Sequence, residues 1–95
     1  MNKTWFVYML LCDYKKFYIG ITTNLQNRIF QHKNKLSKAT AEFSDINLVY
    51  CEKYSTENEA TLREKQFKGW SKEKKQMLID EKLGINRYTE FDKVY

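Results

Sequence analysis

The sequence predicts one small α/β domain of the α+β kind, in the order strand, strand, helix, strand, helix, helix. Three observations predict it. An unbroken apolar run, Trp5 to Leu11, is followed after a polar break by Phe17-Tyr18-Ile19-Gly20-Ile21. Capping residues stand before each of three helical segments. Ile46 to Tyr54 alternates loosely, as a third strand does.

Residues 4–11 are apolar at nearly every position and rich in aromatics, which fits a central strand buried on both faces. Asp13-Tyr14-Lys15-Lys16 makes a polar turn, and Phe17 to Ile21 is the return strand of a hairpin. If Leu10 pairs with Tyr18, Tyr8 lies opposite Gly20, and the period of two puts Tyr8 and Tyr18 on one face. A slip of one residue would separate them. Gly20 then leaves an opening beside Tyr8 where a ligand can approach the backbone.

Thr23 or Asn24 caps a helix running to about Asn34, with Leu25 and Ile29 on its buried stripe. Arg28 and His32, four residues apart, stack on one side of it. Residues 35–45 form an irregular polar connection. Thr56-x-x-Glu59 is a capping-box pattern that opens a second helix to about Gly69. Ser71 caps a third helix, which Gly84 stops. With no proline, repeat or low-complexity tract, the chain divides into one domain, 1–84, and a tail, 85–95, of no clear period.

At 95 residues, 42% hydrophobic and 16% aromatic, the chain can bury a compact core. No apolar run is long enough for a membrane span, and no signal peptide is expected, so the expectation is a cytoplasmic protein without a membrane partner. Cys12 and Cys51 are too few for a zinc site of the usual spacing. They read as reduced, half-buried thiols, a disulfide between strand ends being the alternative. The net charge is +5, and from Tyr14 to Ala41 there is no acidic residue, while Lys15, Lys16, Arg28, Lys33, Lys35 and Lys38 fall there. A second basic cluster holds Arg63, Lys65, Lys68, Lys72, Lys74 and Lys75. Such clustering points to a polyanionic partner, most often nucleic acid.

Few side chains can carry chemistry. Strand tyrosines are ordinarily core residues. Arg28 and His32 offer a planar fork for phosphate oxygens and a group that titrates near neutrality, or else a solvated helix face. Glu64 shares the apolar stripe of Ala60 and Phe67, where a carboxylate needs a partner. Lys68 can supply an ordinary helical ion pair, and a Mg²⁺ ion is the functional alternative. No HExxH motif, Gly-rich phosphate loop or Ser-His-Asp set is present.

In these residues the chain resembles a GIY-YIG domain. Tyr18-Ile19-Gly20 is the second half of that signature, and Phe6-Val7-Tyr8 keeps the tyrosine of the first half with Phe6 in place of its glycine. Arg28, His32 and then Glu64 follow in the family's order, and the likeness runs over roughly residues 4–80. It is closest to small standalone bacterial proteins of that superfamily. The resemblance implies a three-stranded antiparallel sheet flanked by helices and an endonuclease that hydrolyses nucleic-acid phosphodiesters, those of DNA. It further implies Tyr8, Tyr18, Arg28, His32 and Glu64 as the catalytic set, with Glu64 holding a single Mg²⁺ or Mn²⁺. Gly20, Lys33, Lys35, Lys68 and Lys72 are the nucleic-acid contacts expected beside it. The alternative is a nucleic-acid-binding module of the same fold with little or no cleavage.

Overall fold

The computed structural model describes residues 3–83. Strands β1 (Trp5–Cys12) and β2 (Lys16–Thr22) precede helix α1 (Leu25–Lys33). Strand β3 (Ile46–Tyr54) and helices α2 (Glu57–Lys68) and α3 (Lys72–Leu83) follow, in the expected order. The sheet is antiparallel with β1 in the middle, β2-β1-β3. Paired along both edges and covered on both faces, β1 buries Val7, Tyr8, Met9 and Leu10. That double covering is why its sequence does not alternate.

The hairpin register sets Tyr8 opposite Gly20 and Leu10 opposite Tyr18, so the two tyrosines share a face. β2 begins at Lys16, one residue before the expected Phe17, because Cys12 pairs with Lys16. Asp13 (φ 52°) and Tyr14 (φ 60°) take the left-handed conformation of a tight hairpin turn. The Asp13 carboxylate accepts from the N–H groups of Ser44 (2.9 Å) and Asp45 (2.8 Å), and its own N–H donates to the Asp45 carbonyl (2.7 Å). The turn is thereby fastened to the segment that leads into β3. On the other edge Met9 pairs with Tyr50 and Leu10 with Leu48, which leaves Val49 as the extra residue of a bulge.

Helix ends follow their capping residues. The Asn24 side chain accepts from the Asn27 N–H (3.0 Å) at the start of α1. At its end the Leu36 N–H donates to the Gln31 carbonyl (2.8 Å) and the Lys35 N–H to that of His32 (3.2 Å). This is a Schellman closure, with Lys35 at φ 64° in the left-handed position usually held by glycine. Thr56 caps α2 by accepting from the Glu59 N–H (3.2 Å), and Ser71 starts α3 by accepting from the Lys74 N–H (3.1 Å). Gly84 and the tail from residue 85 lie outside the described residues.

α2 is bound to the sheet by packing and by charge. Ala60 and Phe67 are fully buried, and the Phe67 ring meets Tyr50 edge-on at 6.1 Å. Burying such a ring contributes about 1.5–3 kcal/mol. Arg63 reaches the Glu52 carboxylate through Nε (2.9 Å) and Nη2 (3.1 Å), while Tyr54 (2.6 Å) and Tyr50 donate to the same group. Burial alone would raise the Glu52 pKa, but the bonds from Arg63, Tyr50 and Tyr54 outweigh it and hold the carboxyl below its ordinary value. Cys12 and Cys51 are buried rather than half-buried. They stand opposite Ile46 and Tyr8 respectively, so no disulfide joins them.

Candidate active site

The shared face of β1 and β2 meets the last turn of α1. Tyr8 is 1% exposed and its phenol is hydrogen-bonded to His32 Nε2 at 2.9 Å. The imidazole ring lies 5.7 Å from the Tyr8 ring and 5.1 Å from the Tyr18 ring, and the two phenols are 6.2 Å apart. His32 is fully buried, which overturns the solvated-face reading for that residue. Its other ring nitrogen, Nδ1, is bonded to the Thr40 hydroxyl at 2.7 Å, and Thr40 is fully buried too. Three polar side chains from β1, α1 and the 35–45 connection are thus joined in one dry chain.

The opening expected at Gly20 is filled. A β-carbon on Gly20 would lie 2.5 Å from the Tyr8 phenol oxygen. The missing side chain makes room for the phenol itself, and Gly20 is buried beneath it rather than open to a ligand.

Burial sets the protonation states. It raises the Tyr8 pKa well above the ordinary phenol value, with further upward pushes from Tyr18 and the Glu64 carboxylate and a downward pull from Arg28. Burial also lowers the His32 pKa to about 4, and the Arg28 charge adds to the effect. The pair is therefore a neutral phenol on a neutral imidazole at physiological pH.

Arg28 stands one turn before His32 and is half-buried. Its guanidinium makes no hydrogen bond or ion pair among the described residues, yet its charge is felt by both Tyr8 and His32. Glu64 lies on α2, whose Phe67 packs on Tyr50, a residue that the register puts on the face opposite Tyr8. Its carboxylate reaches the phenol through charge and not through a hydrogen bond. The side chain is 18% exposed, and Oε2 is paired with Lys68 Nζ at 3.3 Å, the helical ion pair that the spacing predicts. Lys33 and Lys35 are exposed where α1 ends, Lys68 at the end of α2 and Lys72 at the start of α3. None of these lysines is bonded to the Tyr8 and His32 pair. Thr40 is the residue that sequence reasoning missed, because nothing local distinguishes it within an irregular connection.

A three-stranded sheet of this order, with a tyrosine pair over a helix histidine, defines a class. The chain belongs to the GIY-YIG catalytic domain family, whose model matches residues 4–77. Within that family it is similar to small UPF0213 proteins from bacteria and archaea. One from Haloquadratum walsbyi is 33% identical over 88 residues, covering 92% of this chain and 99% of the relative. One from Staphylococcus haemolyticus is 36% identical over 78 residues, covering 81% and 95%. The solution NMR structure of a UPF0213 protein from Bacillus halodurans aligns with a TM-score of 0.53 at 31% identity, over 81% of this chain and 83% of that one. Family membership implies nuclease chemistry on nucleic acid with a divalent metal. No helix among the described residues is long and apolar enough to cross a membrane.

Proposed function

We propose that this chain is a divalent-metal-dependent endonuclease that hydrolyses DNA phosphodiester bonds with little sequence preference. The observation that carries the reading is the convergence on one buried phenol. Tyr8 is bonded to His32, lies beside Tyr18 and feels the opposite charges of Arg28 and Glu64.

The donor chemistry fits a lightly held ion. Among the described residues no three His, Cys, Asp or Glu side chains gather into a metal cage. One carboxylate with water and substrate phosphate oxygens is a donor set that Mg²⁺ and Mn²⁺ accept. Glu64 is the residue that would hold the single ion, through the oxygen that Lys68 leaves without a partner. The ion when bound supplies Lewis acidity at the leaving 3′ oxygen.

The chain's own residues divide the remaining work. Arg28 presents a free planar fork to the phosphoryl oxygens, where charge grows in the transition state. Tyr8 keeps its proton and serves as support, while Tyr18, half-buried rather than enclosed, is the phenol that meets the attacking water. Neutral His32 holds Tyr8 in place.

Nicking of supercoiled plasmid with Mg²⁺, with EDTA and with Glu64→Ala tests this. EDTA should abolish nicking, and the substitution should slow it roughly 10²–10³-fold, as loss of one electrostatic stabiliser does. Wild-type protein that nicks no faster than Glu64→Ala would sink the reading for the substrates tried. The Lys68 ion pair favours a second reading, a binding module whose carboxylate is already neutralised. That module would hold DNA equally well with and without Glu64.

A further inference from the structure

The bond between Tyr8 and His32 can run in either direction, and the tie is broken at the far end of the chain. In one direction Tyr8 donates to Nε2, Nδ1–H donates to Thr40, and the Thr40 hydroxyl proton needs another acceptor. Thr40 is fully buried, and its hydroxyl has no partner but His32 Nδ1 among the described residues. A buried hydroxyl proton without an acceptor bears the full cost of its desolvation. In the other direction that proton goes to Nδ1, and the proton left over is that of the Tyr8 phenol, whose ring lies 6.2 Å from the ring of half-buried Tyr18, whereas Thr40 has no second polar neighbour of this kind among the described residues.

We propose that Thr40 is a positioning residue: its hydroxyl donates to Nδ1 of His32, which fixes the ring proton on Nε2, aims that N–H at the Tyr8 phenol oxygen and directs the Tyr8 O–H towards Tyr18. The donors then all point one way, from a fully buried threonine to the half-buried Tyr18. Thr40 is well placed to set that direction. Its N–H donates to the Ser37 carbonyl (3.2 Å) and its carbonyl accepts from Phe43 (3.1 Å). The segment carrying it is closed at one end by the Schellman turn of α1 and at the other by the Asp13 clasp on Ser44 and Asp45. A support held at both ends keeps its rotamer, which a positioning role requires.

The consequence for cleavage rests on the nuclease reading, whereas the proton arrangement does not. His32 is the only histidine in the chain, so its two ring nitrogens are the only imidazole ¹⁵N signals of untagged protein. At neutral pH we expect Nε2 at the protonated position and Nδ1 at the position of an unprotonated nitrogen that accepts a hydrogen bond. Thr40→Val should shift Nδ1, and Thr40→Ser should return it. Wild-type protein with the proton on Nδ1, or an Nδ1 signal indifferent to Thr40→Val, would overturn the proposal, and the first of these needs no variant to fold. In the nicking assay Thr40→Val should lower kcat roughly 10–100-fold, the usual effect of losing such a support, with KM unchanged and Thr40→Ser restoring the rate. A Thr40→Val protein that nicks at the wild-type rate would overturn the positioning role. Should wild-type protein fail to nick at all, the nuclease reading falls, and the ¹⁵N spectrum still decides which atom holds the proton.

Discussion

A β-carbon on Gly20 would meet the Tyr8 phenol oxygen at 2.5 Å and Cζ at 2.6 Å, so any other residue there must push the ring aside. The ring cannot yield freely, because it is buried and bonded to His32. Gly20→Ala should therefore cost about 1–3 kcal/mol, the range for overpacking a filled core, and should break the Tyr8 to His32 bond. Urea unfolding together with the His32 ¹⁵N signals checks both parts. His32 carries the pH dependence at this scale. Its folded pKa of about 4 lies below the ordinary imidazole value of 6.5, so its contribution is complete above pH 6.5 and is lost as pH falls towards 4. Over that window the unfolded chain binds a proton that the folded one refuses, at a limiting cost on the order of 3 kcal/mol. An imidazole that titrates near 6.5 by NMR in the folded protein would contradict this.

At the scale of elements, local chemistry decided where helices begin and long-range pairing decided where strands begin. Asn24, Thr56 and Ser71 each accept the backbone N–H three residues on, as their positions in the sequence predict. The start of β2 at Lys16 and the bulge at Val49 depend on partners across the sheet, which no local pattern encodes. The end of α1 shows the cost of one departure from rule. Lys35 sits at φ 64°, where a side chain is strained by about 1–2 kcal/mol. Lys35→Gly relieves that strain and loses part of the gain to the freer unfolded chain, leaving about 0.5–1 kcal/mol of added stability. The urea midpoint should rise with the slope unchanged.

For the whole molecule, charge distribution makes a prediction that single contacts do not. If Arg28, Lys33, Lys35, Lys68 and Lys72 all neutralise phosphates, log K for duplex DNA should fall against log salt with a slope of about −4.5. Lys33→Gln with Lys35→Gln should reduce that slope by about 1.8, and fluorescence anisotropy between low and physiological salt reads it. A slope unchanged by both substitutions would move the DNA path away from the end of α1. The tyrosines, arginine and glutamate of the candidate site were legible in sequence as an ordered set. His32 was legible as a member of that set but not as a buried neutral ring, and Thr40 was not legible at all. By itself the sequence determined the element order, the helix caps and the hairpin of β1 and β2, because these follow from the period of side chains and from residues a few positions apart, while the register that puts Tyr8 and Tyr18 on one face was settled by pairing across the sheet. Only the tertiary structure decided that the space over Gly20 belongs to the Tyr8 phenol and that His32 joins Tyr8 to Thr40. It also decided that Glu64 is paired with Lys68 on α2 rather than bonded to that phenol. Those outcomes depend on burial and on contacts between residues distant in the chain, and both arise only when the sheet closes against α1 and α2.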